Sequence, residues 1–175
     1  MDQRIERLQG RIRDVPDFPK PGIIFKDWTP LLSDHAALQD AVSLLAEPFR
    51  GDQIDYVVGM EARGFLLGVP LAMELSAGFV PVRKPGKLPS ETHAVHYELE
   101  YGTDALEMHV DAFSEGKRIL VVDDLLATGG TAEATVELIE RARGEVVACA
   151  FLIELDFLEG RQNLRTERVV SVLHY

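Results

Sequence analysis

Two adjacent carboxylates, Asp123 and Asp124, end a β-branched apolar run, Ile119 to Val122. A turn of small residues, Ala127-Thr128-Gly129-Gly130-Thr131, and a helical pattern follow. This order predicts a buried strand, a tight loop and a helix whose first turn presents unpaired backbone N–H groups. Such an end attracts a phosphate, because the free amides and the positive end of the helix dipole point at one spot. Gly129 and Gly130 remove the Cβ atoms that would hold an anion away, and Thr128 and Thr131 add hydroxyl donors. The two carboxylates would repel that phosphate unless they face sugar hydroxyls or a hydrated Mg²⁺. A phosphate close to a diol describes a ribose 5-phosphate. The plain alternative is a helix start with capping threonines after an exposed acid pair. The chain has no G-x-x-x-x-G-K loop, and no G-x-G-x-x-G follows a strand, so the more familiar nucleotide loops do not account for the pattern.

Gly59-Met60-Glu61-Ala62-Arg63-Gly64 is a second loop of the same kind, strand, glycine-flanked turn and helix, with one cation, Arg63. Two anion-binding loops at one sheet edge suit a ligand with phosphates at both ends. On spacing alone, Arg63 could equally be a solvated cation at a helix start. Arg83, Lys84 and Lys87 form the one dense basic cluster, which would offset a second anionic group or stand as a solvated loop. Phe25, taken alone, could simply pack into the core. The five histidines show no metal spacing beyond His93-x-x-His96, so a zinc site is not expected. No Ser/His/Asp or Cys/His arrangement stands out.

Strands and helices must hold these groups in place. Ile5, Leu8 and Ile12 predict a short amphipathic helix over residues 2–13, and three prolines between Asp14 and Gly22 an ordered turn. Ile23 to Asp27 reads as a short strand or extended arm. Asp34 caps a helix to about Phe49. Tyr56 to Val58 is a strand, followed by the Gly59–Gly64 loop and a helix through Leu75. Phe79 to Val82 is another strand. Residues 94–110 alternate apolar and polar about Gly102, which predicts a hairpin protruding from the sheet, preceded by a mobile, proline-interrupted segment, Pro85 to His93. After the central strand, Ala132, Val136, Ile139 and Ala142 share one helix stripe that ends at Gly144, and strands follow at Glu145–Leu155 and Arg168–Leu173. Strands alternating with helices predict an α/β fold, a mostly parallel open sheet with helices on both faces. Ligands in such sheets sit at the strand C-termini, where the loops at 59–64, 83–87 and 123–131 would gather.

A length of 175 residues suits one core of this type. The net charge of −11 argues against a general nucleic-acid or membrane surface, though not against an anionic small molecule. The single cysteine, Cys149, lies in an apolar run and reads as a buried thiol in a reducing compartment. The N-terminal MDQRIERLQG has no apolar core of a secretory signal, and the apolar stretch Gly64 to Leu75 is too short to span a bilayer, so a cytoplasmic location is expected.

The stretch Val121 to Ala132, VVDDLLATGGTA, resembles the 5-phosphoribosyl-1-pyrophosphate (PRPP) motif of the type I phosphoribosyltransferases. The R-K-x-G-K-L-P segment beginning at Arg83 and the P-G-I-I-F-K-D segment, Pro21 to Asp27, resemble the adenine-specific members of that family. The likeness runs in collinear order from Arg13 to Tyr175. It implies a single domain over residues 1–175, with 1–32 as an N-terminal hood and 84–110 as a mobile loop and hairpin. It implies that Ala127, Thr128, Gly129, Gly130 and Thr131 hold the 5-phosphate and that Asp123 and Asp124 hold the ribose hydroxyls. Glu61, Ala62 and Arg63, joined by a non-proline cis bond at Glu61–Ala62, would hold pyrophosphate with Arg83, Lys84 and Lys87. Ile24 and Lys26, the latter Arg in many relatives, would contact adenine mainly through backbone groups. Phe25 and Leu155 would pack on its two faces. Glu100, before the hairpin turn, matches the glutamate held to assist proton transfer at the purine, with Arg63 as the other catalytic residue. The implied reaction joins adenine and PRPP to give AMP and pyrophosphate. Mg²⁺ would be held mainly through substrate oxygens and water, and the chain would work as a homodimer. Two other outcomes stay open: an enzyme of the same fold acting on hypoxanthine, guanine or xanthine, or a PRPP-sensing regulator without turnover.

Overall fold

The computed structural model describes residues 2–98 and 103–175, with Glu98 as backbone only. A short helix, α1 (Gln3–Gln9), leads into an antiparallel ribbon of β1 (Arg13–Pro16) and β2 (Ile24–Asp27). Helices α2 (Thr29–Leu32) and α3 (His35–Ala46) follow, then β3 (Tyr56–Met60), α4 (Arg63–Glu74) and β4 (Gly78–Val82). An antiparallel hairpin, β5 (Thr92–Glu98) and β6 (Thr103–His109), precedes β7 (Arg118–Leu126), α5 (Gly130–Arg141), β8 (Glu145–Glu154) and β9 (Val169–His174).

The strand order β4-β3-β7-β8-β9 is parallel throughout. Both faces are covered, which is why β7 reads as an unbroken apolar run. Leu120 and Val122 join the core under α1, α3 and α4, and Ile119 and Val121 join the core under α5 and the hairpin. From β3 the chain crosses to β4 on one side, while β7 begins the half that grows the other way. The gap beyond the C-terminal ends of β3 and β7 is therefore the switch point at which open α/β sheets bind ligands.

Several boundaries differ from the expectation. The first helix stops at Gln9, and Asp14 to Pro16, expected in a turn, pair with Ile24 to Lys26 instead. Asp34 caps α3 by accepting from the Ala37 amide at 3.1 Å, and a 3₁₀ turn, Glu47–Phe49, replaces its last turn before Arg50. The central strand runs past both acids to Leu126, because β8 continues to pair with it there after β3 has ended opposite Val122. The hairpin forms as expected, with Val95 opposite Leu106, and its expected turn at Gly102 lies outside the described residues. It is also tied to the sheet: Arg83, just after β4, exchanges both backbone hydrogen bonds with Glu107, at 2.9 and 2.7 Å.

Gly68 shows how closely α4 lies on the sheet. A Cβ there would stand 2.5 Å from the Phe79 ring and 3.2 Å from Val122. Alanine normally favours a helix interior over glycine, but crowding at this contact outweighs propensity. Gly68→Ala should lower unfolding free energy by about 1–2 kcal/mol in urea titrations. A variant as stable as the parent would show that the ring gives way without cost.

Candidate active site

A cavity of about 350 Å³ opens at this switch point. Three pieces of chain build it: the turn Glu61 to Arg63, the strand end and loop Asp123 to Ala132, and Lys84, Tyr97, Asp104 and Leu106 from the β4 exit and hairpin.

The loop after β7 owes its shape to two glycines. Gly129 is the residue before α5, in the left-handed region at φ 86°, and no side-chain hydrogen bond caps the helix. Its missing Cβ lets the loop approach Gly160, whose carbonyl oxygen would lie 2.5 Å from it. At Gly160 a Cβ would lie 2.0 Å from the Ala127 carbonyl oxygen. Asn163 Nδ2 donates to the Thr128 carbonyl at 2.8 Å, so the turn after β8 pins the loop from behind. Residues 127–131 all line the cavity. This end suits a phosphate.

The acid pair is divided in environment. Asp124 is buried, and its Oδ2 accepts from the Trp28 indole Nε1 at 2.7 Å and also from Arg63 Nε. Asp123 Oδ1 accepts from the Asp124 amide at 2.9 Å and would meet any Cβ on Gly64 at 2.8 Å. Burial, followed by the charge of Asp124, pushes the Asp123 carboxyl well above the usual carboxylate range. Burial works against the Arg63 charge, but Asp124 outweighs it and the guanidinium pKa is raised. Arg63 is thus an ion-paired residue rather than a solvated helix-start cation.

The turn at the end of β3 contains the cis bond Glu61–Ala62 that the resemblance implies. Glu61 gathers the basic cluster: its carboxylate accepts from Arg83 Nε at 2.9 Å, Lys87 Nζ at 3.0 Å and the Lys84 amide at 3.1 Å. Burial opposes the charge of Glu61, but Lys87, the Lys84 amide and Arg83 hold its carboxyl below the usual range. Lys84 Nζ pairs with Asp104 at 3.0 Å, to which the Tyr97 hydroxyl also donates at 3.4 Å. The cluster is therefore not a free excess of positive charge. Each of its three cations is matched by a nearby carboxylate.

The hood residues flank the cavity rather than line it. Phe25 packs edge-on against Phe18 at 5.3 Å, and the Arg63 guanidinium lies 5.4 Å from its ring centre. Ile24 is exposed. The Lys26 side chain points elsewhere, to Asp14 at 2.7 Å and over the Tyr175 ring at 4.4 Å, which leaves its backbone for any contact with a base. Leu155 is joined to the cavity through its amide, which donates to the Leu126 carbonyl at 3.0 Å. Arg83 and Lys87 do not line the cavity, and Glu100 lies outside the described residues.

Sequence reasoning missed Trp28, Tyr97, Asp104, Gly160 and Asn163. Tyr97 carried a signal, as an aromatic on the apolar face of the predicted hairpin. Nothing in the spacing ties residue 28 to residue 124. Among the described residues, one group has metal-ligand spacing, Glu154, Asp156 and His174. It lies away from the cavity, and Glu154 already accepts from Arg161 and Ser171. The cavity carboxylates Glu61, Asp104 and Asp124 are likewise engaged by cations.

The cavity at the switch point thus brings together a glycine-started helix, an acid pair and a cis-bonded turn. A family model described as phosphoribosyl transferase domain matches residues 27–171, and the chain belongs to that family. An adenine phosphoribosyltransferase of Methylococcus capsulatus is 57% identical over 171 residues, covering 98% of this chain and 100% of that protein. The crystal structure of adenine phosphoribosyltransferase from Rhodothermus marinus is 56% identical, with a TM-score of 0.95 and full coverage of both chains. The enzyme from Saccharomyces cerevisiae, solved with adenine and an imino-altritol bisphosphate, is 40% identical with a TM-score of 0.93, covering 98% of this chain and 99% of that one. Within the family, the chain belongs to the adenine phosphoribosyltransferases.

Gly160→Ala should push the Ala127–Thr128 backbone out of place and lower kcat/KM for PRPP by about a hundredfold, since small misplacements of positioning groups are that costly. Circular dichroism should remain that of the parent; retained kcat/KM would show that the loop is not held from behind. Asp123 makes a second prediction. Its raised folded-state pKa means that the folded chain binds this proton more tightly than the unfolded one, so stability falls as pH rises through the window between the two values. Asp123→Asn should therefore raise the melting temperature at about pH 8, with the gain shrinking toward about pH 4. A gain that grows on acidification would reverse the assignment.

Proposed function

We propose that the chain transfers the 5-phosphoribosyl group of PRPP to adenine, giving AMP and pyrophosphate in purine salvage. The observation that carries this is the glycine-started, side-chain-uncapped end of α5 beside Asp123 and Asp124 in one cavity. The 5-phosphate would sit on the amides of residues 127–131, and Asp123 and Asp124 would hold the ribose hydroxyls. The Glu61–Arg63 turn, with Arg83, Lys84 and Lys87, would hold pyrophosphate. Adenine would lie at the hood, against Phe25 and Leu155, read by backbone groups of Ile24 and Lys26. C1 of the ribose becomes oxocarbenium-like as pyrophosphate leaves, so the chain acts by positioning and charge neutralisation. Glu100 is the proposed proton-transfer group at the purine, with Arg63 balancing charge on the leaving group.

Mg²⁺ would enter with PRPP, held by substrate oxygens and water, which agrees with the pairing of every acidic side chain in the cavity except Asp123 with a cation. We read residues 1–175 as one domain whose hood, 1–32, and loop and hairpin, 84–110, close over the substrates to exclude water. An exposed apolar stripe on α4, Leu66, Val69 and Met73, supports a homodimer. The single cysteine, Cys149, is buried and its thiol is pushed up to about 12, first by burial, so it is unreactive, and a cytoplasmic setting is part of this reading. The net charge of −11 supports small-molecule substrates over nucleic acid or membrane.

With PRPP and each purine in turn, AMP formation should exceed formation of IMP, GMP and XMP. Preference for an oxopurine would overturn the base assignment, and no pyrophosphate release with any base would indicate a sensor. Replacing both Asp123 and Asp124 by alanine should weaken PRPP binding by at least about tenfold in calorimetry, each lost hydrogen bond to a charged group being worth about 1.5–3 kcal/mol.

A further inference from the structure

Trp28 is the chain's single tryptophan and is fully enclosed, yet its one polar atom reaches a carboxylate of the sugar site 96 residues away. The indole N–H and Arg63 Nε meet the same oxygen, Oδ2 of Asp124. The two donors are not equivalent. A carboxylate offers about four lone-pair positions, and these two donors take both on Oδ2. Any substrate hydroxyl that bonds Asp124 would therefore meet Oδ1, with the Asp123 carboxyl within hydrogen-bonding range of the same side chain. Trp28 is 1% exposed and has no other acceptor among the described residues, so moving it off Asp124 would strand a buried donor. The Arg63 side chain is 45% exposed and lies between Asp124, Phe25 and the cavity, so it can trade one anion for another. We propose that Trp28 is a positioning residue that keeps Asp124 aimed at the sugar hydroxyls while Arg63 exchanges Asp124 for an anionic group of the substrate. Because Trp28 directly follows β2, the same bond anchors the hood, with Phe25, to the sugar site.

This inference rests on the proposed role of Asp124 at the ribose, so the test separates the two. Trp28→Phe keeps a buried ring and removes the N–H. It should raise the Kd for PRPP about tenfold while kcat at saturating PRPP changes less than about threefold, a split that a purely structural loss would not produce. Asp124→Ala is measured alongside. If Asp124→Ala binds PRPP as the parent does, the ribose reading itself falls. If Asp124→Ala binds weakly and Trp28→Phe binds normally, the ribose reading stands and the positioning role falls. Should Trp28→Phe fail to fold, the parent protein still decides: isotope-labelled chain has one indole N–H resonance. Saturating PRPP should shift that resonance as Arg63 leaves Oδ2, and the proton should stay protected from exchange with water. A resonance that PRPP leaves unmoved, or a proton that begins to exchange rapidly, would overturn the proposal.

Discussion

A helix that begins on a glycine in the left-handed region has no side chain with which to satisfy its own first amides, and in this chain the residues of that helix start line a cavity. Everything else in the site depends on keeping that end open and in place. Gly129 and Gly160 allow two backbone segments to touch where any Cβ would separate them, and Asn163 holds the loop from outside. The open sheet contributes the rest: β7 continues past the end of β3, so the acid pair stands in the crevice beside the loop that follows it.

Charge in and around the cavity is arranged in matched sets. Glu61 collects Arg83 and Lys87, Asp104 collects Lys84, and Asp124 collects Arg63. Each pair keeps a cation near the site without leaving it unpaired in a partly enclosed space, where an isolated charge is costly. An arriving polyanion then competes with carboxylates already holding those cations. That competition favours ligands with several negative groups in the right places, and it requires no net positive surface. An acidic protein can therefore bind an anionic substrate. Asp123, which no cation pairs directly, is the exception, and burial answers by holding its proton more tightly.

The N-terminal ribbon and the cavity share one carboxylate, Asp124. Trp28 closes the N-terminal ribbon onto Asp124, and Arg63 reaches from Asp124 toward Phe25. Trp28, Asp124, Arg63 and Phe25 thus form a short run of contacts between the ribbon and the cavity.

Much of this was legible in the chain alone. Period, run length and turn residues identified every long element of the sheet and its helices, because apolar patterning reports which faces are covered. The loop at 127–131 and the turn at 61–63 could be read as anion sites because glycine content and helix starts are local properties. The acid pair stood out by adjacency. What only the tertiary structure decided is which charges meet. That Glu61 would be the hub of the basic loop, that Lys26 would turn away to Asp14, and that Trp28 would hold Asp124 all depend on contacts across tens of residues. Neither period nor local motif carries such pairings. They follow from strand order and crossover geometry, which bring distant segments to one edge of the sheet only after the whole sheet has formed.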